Sequence, residues 1–534
     1  MAAMRVDWRV AAVWTCFVAR LAFYSCMLPL WEGYDEWAHF SVIRSMAVNH
    51  QALVARDAPV PRDVEASLQL APVPWEMRYL PPPWLTQDAF WNLPAELRAH
   101  REAAFRNMPR AWSRQAGTGP FLTYEALQPP LYYWVMTPAA RLLGGLSLGA
   151  QVLALRWLSV LLASLAVPLI FAVGRLALDE NLAMGCAAIV ALMPGVALDV
   201  ARVGNDSLSL ALFSLLAWLA VRMAKEGWHL GRATGLGVTL GLGLLTKAYF
   251  LTAIPAFALL WLWELGRPRA GRAATVVHGL LAGAIGAAIA GWWYFRNLQL
   301  TGTLSGLSES VIIRHAGLAE MAKQAVTLNW AKAIDAILFS HLYFGGWSSL
   351  TVRSWMYHVF YLVILLAAVG LAWKGRTRET GALALLYGAF WAGQCYNVVL
   401  LYMSKGLAGS MGWYLDAVVA AEVVLCVAGL RRVLPARAAV LPGAILFALL
   451  DLYTVHLVEI PYYTGMIHHK AAGGVAALHL QDWRSVGAAG ALARLTAFHA
   501  GGQTVLLVAW LGYLAGTFYL VWRCGVRQDL GSRA

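Results

Sequence analysis

Asp35, Glu36 and His39 stand close together early in the chain, just beyond a long apolar stretch. In such a pair one carboxylate takes a proton as a general base while the other positions it. The same pattern also suits a polar cluster that faces water at a membrane surface, with Trp31 and Trp37 as interfacial anchors. From these residues alone both interpretations stay open.

A second polar motif contains Glu125 and Gln128, followed by Pro129, Pro130 and Tyr132. The two prolines fix the backbone and disfavour helix before them. The motif is equally typical of an amphipathic surface helix that begins at a proline. Because the stretch before it is rich in Trp, Pro, Arg and acidic residues, we expect the whole segment to form short surface helices that cover a site.

Three further charged residues lie at turns between apolar stretches. Asp206 begins one stretch, where a carboxylate either caps a helix or supports catalysis. Lys247 interrupts another, and a lysine inside a membrane must face a watery cavity or a counter-charge. Arg296 follows the aromatic residues at the end of a third stretch, where it either snorkels to the surface or binds an anionic head group.

The composition indicates what must position these residues. Of the 534 residues 60% are hydrophobic and only 13% are charged, against about 25% charged in a soluble protein. This excludes a soluble enzyme, a disordered chain and a small disulfide-stapled module. Hydrocarbon tolerates only backbone that is hydrogen-bonded within itself, so the fold class is predicted to be all-α, a polytopic transmembrane helical bundle with juxtamembrane helices on its outer face.

A membrane span needs about 20 apolar residues. On that criterion we predict twelve spans, at residues 8–30, 153–175, 182–200, 206–224, 231–246, 248–265, 273–294, 355–373, 381–403, 411–430, 437–457 and 503–522. The segment 129–145 is too short and too rich in proline to be a thirteenth, and we predict a helix lying on the outer face. Spans five and six together have length for only about 52 Å of helix, so the hairpin that carries Lys247 is expected to end below the outer surface.

The net charge of +13 follows a pattern along the chain. The short connections and both ends are basic, whereas the segments 31–152, 295–354 and 458–502 are long and mixed in charge. The positive-inside rule places basic connections in the cytoplasm. We therefore predict cytoplasmic termini, long segments on the outside, and no nucleic-acid partner.

The motifs around Asp35-Glu36, Glu125 to Tyr133, Asn205 to Leu208, Leu245 to Lys247 and Trp293 to Asn297 share one predicted side. In this order they resemble the GT-C superfamily of polyprenyl-phosphate-dependent glycosyltransferases. Its members include the protein O-mannosyltransferases and the aminoarabinose transferases. The resemblance covers roughly residues 10–300 and fades beyond.

The resemblance, together with the chemistry of displacement at a lipid phosphate, indicates a role for each candidate residue. Asp35 would be the catalytic base, with Glu36 and Asp206 as its support. Lys247 and Arg296 would bind the donor phosphate, because Gln128 stands where aminoarabinose-transferase relatives often carry a lysine. The remaining candidates would contact the acceptor or support the residues that do, and these are His39, Glu125, Gln128 and Tyr132. No cofactor is predicted with certainty; a divalent metal stays open, since some relatives use one.

The predicted protein is thus a membrane glycosyltransferase that moves a sugar from a polyprenyl-phosphate donor to a lipid, glycan or protein acceptor. The displacement would invert the anomeric carbon on the periplasmic or exterior side of a bacterial cytoplasmic (inner) membrane. The alternatives are a transporter or flippase of a lipid-linked or anionic substrate, and a non-catalytic assembly protein with the same fold.

Two modules are predicted. The catalytic transmembrane module spans residues 1–300 and includes the outer loop 31–152. A variable C-terminal transmembrane module spans 301–534, with outer loops 301–354 and 458–502.

Overall fold

A computed structural model of the protein describes residues 7–110, 112–267, 271–373, 377–471 and 474–526. The described residues are mostly helical, and the only β-structure among them is a few isolated bridges. The predicted all-α fold class is confirmed. The two ends of the chain, whose cytoplasmic location was predicted, lie outside the described residues.

The α-helices of the first half are, in chain order, α1 (Trp8–Met27), α2 (Glu36–Asn49), α3 (Arg62–Leu70), α4 (Gln87–Trp91), α5 (Ala95–Arg106), α6 (Leu131–Leu142), α7 (Leu148–Ser164), α8 (Ala166–Ala177), α9 (Glu180–Leu192), α10 (Pro194–Val200), α11 (Asp206–Glu226) and α12 (Leu230–Leu244). Those of the second half are α13 (Ala253–Leu265), α14 (Arg272–Thr301), α15 (Ser308–Ile312), α16 (Leu318–Thr327), α17 (Trp330–Leu342), α18 (Ser354–Trp373), α19 (Arg378–Lys405), α20 (Val419–Val433), α21 (Leu441–Thr454), α22 (Ile460–Tyr463), α23 (Leu480–Leu495) and α24 (Gly502–Val526).

Ten helical segments of the described chain are long and apolar enough to cross a membrane. The count becomes eleven if α9 and α10, which meet at a 62° bend, form one span. Pro194 begins α10 and has no N–H to continue α9, which accounts for the break. The predicted multi-pass membrane protein is confirmed, but the number twelve is not, because the predicted span 231–246 corresponds to α12, which has only 15 residues.

Helix α12 packs closely against α14 because it carries glycines where the two helices meet. A Cβ atom at Gly237 would lie 2.7 Å from the backbone oxygen of Ala282, and one at Gly241 would lie 2.7 Å from the Cβ of Ile289. Small residues let helix backbones approach within a membrane, where van der Waals packing drives association. This packing fixes the end of α12, and Lys247 follows directly beyond it.

The long segment between α1 and α7 has a hydrophobic core of its own, distinct from the core of the helix bundle. The buried side chains of α2 and α6 contribute to it, among them Phe40 and Tyr132. Helix α6 has 12 residues and is not among the candidate spans, as predicted for segment 129–145. The segment therefore forms a folded layer over one end of the bundle.

One intramembrane acid, Asp451, is paired within the bundle. Asp451 on α21 accepts hydrogen bonds from Tyr24 and Tyr513 and lies 2.9 Å from the guanidinium of Arg20. These four side chains come from α1, α21 and α24, so the cluster links three helices. The charge on Asp451 thus has a structural explanation within the bundle, which removes one reason to favour a transporter.

Candidate active site

Asp35 is the one residue between Leu30 and Arg44 that is not buried. It stands directly before α2 in a left-handed conformation, with φ of 55° and ψ of 16°, and its side chain makes no capping hydrogen bond to the helix. A non-glycine residue in this region is uncommon and persists where the surrounding structure holds it. The backbone therefore presents a partly exposed carboxylate within an otherwise buried stretch.

The Asp35 carboxylate is oriented by two side chains that donate to the same oxygen. Tyr124 Oη lies 2.5 Å and Trp347 Nε1 lies 3.2 Å from Asp35 Oδ1. Burial raises the pKa of Asp35, while the hydrogen bond from Tyr124 and the positive charges of Arg202 and Lys247 lower it; the net direction is upward. A raised pKa suits a carboxylate that must accept a proton near neutral pH.

Glu36, the next residue, points the other way and is fully buried. Its two oxygens accept from Arg156 Nε at 2.7 Å and Arg156 Nη2 at 2.6 Å, and the backbone N–H of Val203 donates to it at 3.0 Å. These contacts join α2 to α7 and to the turn before α11. Through these hydrogen bonds Glu36 holds the adjacent backbone at Asp35 in position.

Asp206 lies at the start of α11 between two cations. Its Oδ2 accepts from Arg202 at 2.7 Å, and its Oδ1 accepts from Lys247 and, at 3.1 Å, from Tyr249. The N-cap position belongs to Asn205, whose side chain makes no capping hydrogen bond, and Asp206 is the first residue of the helix. Asp206 is thus the counter-charge that was predicted for a lysine within an apolar stretch.

Arg202 extends the network to a second acid. It also pairs with Asp199 at 2.8 Å, and its guanidinium lies over the ring of Tyr34 at 5.4 Å from the centroid. Two of its nitrogens, Nε and Nη1, are buried without a hydrogen-bond partner. With Asp206 and Lys247, these residues form a buried network of two acids and two cations beside Asp35.

His39 and Glu125 lie behind Asp35 and are both uncharged near neutral pH. Burial, with the positive charges of Arg202 and Lys247, lowers the pKa of His39 well below its usual value. Burial and the Asp35 charge raise the pKa of Glu125 to about 8. His39 Nδ1 lies 2.9 Å from Tyr133 Oη. These side chains are linked to one another, since His39 Nδ1 also lies 3.5 Å from Glu125 Oε2.

Three other predicted site residues lie in different surroundings. Tyr132 is fully buried, and its hydroxyl lies 2.8 Å from Ser159 Oγ. Gln128 is partly exposed, with an Oε1 atom that has no hydrogen-bond partner. Arg296 lies 5.2 Å from the ring centroid of Trp293 and has no carboxylate within ion-pairing distance among the described residues.

The acids near Asp35 do not form a metal-binding set. Glu36 and Asp206 are each committed to cationic side chains, and His39 faces a tyrosine hydroxyl. Among the described residues no group of three or more His, Cys, Asp or Glu side chains is arranged to hold a metal ion. These donors do not fit a metal, and we derive no step through one.

Ser348 joins three long segments beside the site. Its backbone N–H donates to Glu32 Oε1 at 3.0 Å, its Oγ accepts from the backbone N–H of Trp75 at 3.2 Å, and its carbonyl oxygen lies 2.9 Å from His469 Nε2. His469 in turn lies 3.0 Å from Asp88. The three segments that were predicted to share the outer side thus meet at one serine.

Glu32 should make the stability of this junction depend on pH. Burial raises the pKa of Glu32 from 4.5 to about 8. The folded protein therefore keeps a proton that the unfolded chain releases, so stability is complete below pH 4.5 and is lost progressively as the pH rises to about 8. We expect Glu32→Gln to raise the free energy of unfolding at pH 8 by about 3 kcal/mol and to change it little at acidic pH.

Thermal unfolding of the detergent-solubilised protein at both pH values measures this difference. Glu76→Gln is the matched control, because Glu76 lies in the same segment and is exposed. Equal stabilisation by Glu32→Gln at both pH values would contradict the assigned protonation.

Sequence reasoning missed Arg156, Tyr124 and Trp347 as parts of the site. Arg156 had a usable signal, since an arginine inside an apolar span marks a functional or structural partner. Tyr124 directly precedes Glu125, but an uncharged tyrosine beside an apolar stretch gives no signal of a catalytic site. Trp347 lies more than three hundred residues from Asp35 in sequence, and no spacing rule links the two.

Residues 127–294 match the family model described as dolichyl-phosphate-mannose-protein mannosyltransferase. This segment contains Gln128, Asp206 and Lys247, and it begins after Asp35 and ends before Arg296. The resemblance to the GT-C superfamily that the motifs indicated is confirmed for this segment. No curated protein matches the chain.

Two kinds of solved structure align with the chain. One is ArnT from Cupriavidus metallidurans bound to undecaprenyl phosphate, at 14% identity and a TM-score of 0.48, over 97% of this chain and 78% of that chain. The other is the archaeal oligosaccharyltransferase AglB from Archaeoglobus fulgidus in complex with an inhibitory peptide and a dolichol-phosphate. It aligns at 12% identity and a TM-score of 0.37, over 98% of this chain and 57% of that chain.

Proposed function

We propose that this chain, which carries the mannosyltransferase family pattern over residues 127–294, is a membrane glycosyltransferase. Its donor is a sugar on a polyprenyl phosphate, and its acceptor is a hydroxyl or amine of a lipid, glycan or protein. By the positive-inside rule, the site faces the periplasm or exterior. The observation that carries the proposal is Asp35, a partly exposed carboxylate held in an uncommon backbone conformation beside a buried network of ion pairs.

Asp35 is the general base of the proposed reaction. Its Oδ1 is held by Tyr124 and Trp347, which leaves Oδ2 to take the proton from the acceptor. The acceptor atom then forms a bond to the anomeric carbon as the bond from that carbon to the phosphate oxygen breaks. The product has inverted configuration, the polyprenyl phosphate leaves with the bonding electrons, and the proton on Asp35 passes to water.

Lys247 and Arg296 are the proposed cations for the leaving phosphate. Fixed positive charge placed where negative charge develops lowers the barrier for such a step. Lys247 uses one of its three donors on Asp206 and lies over the rings of Tyr249 and Tyr414. Asp206 is thus proposed to orient this lysine. Arg296 lacks a carboxylate partner among the described residues and remains free to bind an anion.

We expect Lys247→Gln to weaken binding of a polyprenyl phosphate about 10- to 100-fold, because one charge-assisted hydrogen bond to the phosphate is lost. The amide still donates to Asp206, so the fold is retained. Lys405→Gln is the matched control, since Lys405 is an exposed lysine that pairs with Glu309. Affinity of the purified protein for undecaprenyl phosphate measures the change, and unchanged binding by Lys247→Gln would remove this lysine from the donor site.

The function itself is tested by mass spectrometry of lipid that copurifies with the protein, followed by a transfer assay with that lipid. A polyprenyl-phosphate sugar that is consumed as a new glycosidic bond forms supports the proposal. Passage of the lipid across proteoliposomes without a new bond would establish the transporter instead. Binding without either reaction would indicate a non-catalytic protein.

A further inference from the structure

Trp347 reaches the Asp35 carboxylate from the C-terminal half of the chain. Its indole N–H donates to Asp35 Oδ1 at 3.2 Å, beside the hydrogen bond from Tyr124. Its ring meets the rings of Tyr34 and Trp413 edge-on, at centroid distances of 5.8 and 5.6 Å. These contacts leave the indole little freedom to rotate, so its N–H remains directed at the carboxylate.

The backbone that carries Trp347 is held on both sides. Gly345 and Leu350 exchange backbone hydrogen bonds and close a short loop, and Ser348 directly follows Trp347. Ser348 is bonded through its N–H, side chain and carbonyl to Glu32, Trp75 and His469. All three outer segments therefore contribute to the position of one indole.

We propose that Trp347 is a positioning residue, which turns Asp35 Oδ2 toward the acceptor by holding Oδ1, and that the outer loops of the C-terminal half hold it there through Ser348. This inference rests on the proposed function for the step that Asp35 performs. It assigns a role to the half of the chain that lies beyond the family match.

Trp347→Phe tests the inference, because phenylalanine keeps a smaller aromatic ring at this position and removes the N–H donor. A donor bonded to an ionised carboxylate favours the charged form. Its loss should therefore raise the pKa of Asp35 and move the acidic limb of the pH–rate profile upward by about one pH unit. A merely structural tryptophan would lower the rate at every pH and leave the limb in place.

Trp134→Phe is the matched control. Trp134 is also a partly exposed outer tryptophan, and its indole N–H donates to the carbonyl oxygen of Ala52 at 2.8 Å, away from Asp35. We expect this variant to keep the wild-type pH profile. An unshifted limb in a folded Trp347→Phe protein would overturn the inference, as would an equal shift in Trp134→Phe.

A second readout separates this inference from the proposed function. Difference infrared spectroscopy of wild type against Asp35→Asn isolates the protonated carboxyl band of Asp35 and gives its titration midpoint without any substrate. If wild type transfers no sugar, the proposed function fails, yet the midpoint in Trp347→Phe still tests the hydrogen bond. A higher midpoint supports the positioning role and an unchanged one refutes it.

The contribution of the outer loops is tested by His469→Ala. This change removes the contact to the Ser348 carbonyl but leaves Trp347 in the chain. We expect the midpoint of Asp35 to move in the same direction as in Trp347→Phe, by a smaller amount. A wild-type midpoint in folded His469→Ala would show that the loop holds Trp347 without the last outer segment.

Discussion

Asp35→Asn is expected to lower the rate of sugar transfer about 10²- to 10⁴-fold, the usual contribution of a general base. The amide has nearly the same shape, and its oxygen still accepts from Tyr124 and Trp347, so the fold and the donor site are retained. It accepts no proton, and the acceptor must attack without activation. Turnover with a saturating lipid donor, together with the affinity for undecaprenyl phosphate, measures both parts of this expectation.

Asp57→Asn provides the control for Asp35→Asn. Asp57 is an exposed aspartate in the same segment between α1 and α7, and its replacement should leave both turnover and lipid affinity at wild-type values. Normal transfer by folded Asp35→Asn would remove Asp35 as the base. Loss of lipid binding together with transfer would instead assign Asp35 to donor binding.

Arg156→Met is expected to be the most destabilising single change in the site region, lowering the free energy of unfolding by about 3–5 kcal/mol. The variant would leave the charge of Glu36 buried and unpaired. It would also remove the donors that Arg156 offers to the carbonyl oxygens of Ser25, Leu28 and Pro29 at 2.8, 2.7 and 2.9 Å. Because Glu36 follows Asp35 directly, activity should fall together with stability.

Two further variants separate the causes. Arg222→Met breaks an exposed pair with Glu226 of the same bidentate type, and it should cost less than about 1 kcal/mol. The double variant Glu36→Gln with Arg156→Met removes the unpaired charge and should recover part of the lost stability. Thermal or denaturant unfolding in detergent measures all three, and an Arg156→Met protein as stable as wild type would show that the pair is dispensable.

The sequence alone determined the fold class, because its physical basis is local. Runs of about 20 apolar residues leave the backbone no option in hydrocarbon except helix, and every predicted span coincides with one or more helices. The one miscounted span, 231–246, belongs to the pair of spans that was predicted to be too short together for two full crossings. The family pattern was also visible, since short motifs in a fixed order need no three-dimensional information.

The sequence also predicted that the polar candidate residues share one side of the bundle, but it did not predict what each side chain contacts. Asp35 and Glu36 are adjacent and chemically alike, and only the structure separates them, because one meets Tyr124 at the surface while the other meets Arg156 in the interior. The helix start at Asp35 turns successive side chains in different directions. Composition and residue spacing do not reveal in which direction each of these side chains points.

Tertiary structure alone decided which distant residues complete the site. Lys247 contacts Asp206, from which it is separated by 41 positions in the sequence, and Trp347 contacts Asp35, from which it is separated by 312. Pairings at this range depend on how the helices pack and on where the outer segments meet, so they follow from the burial of many side chains at once. A single sequence specifies these contacts collectively, and no local pattern within it reveals them.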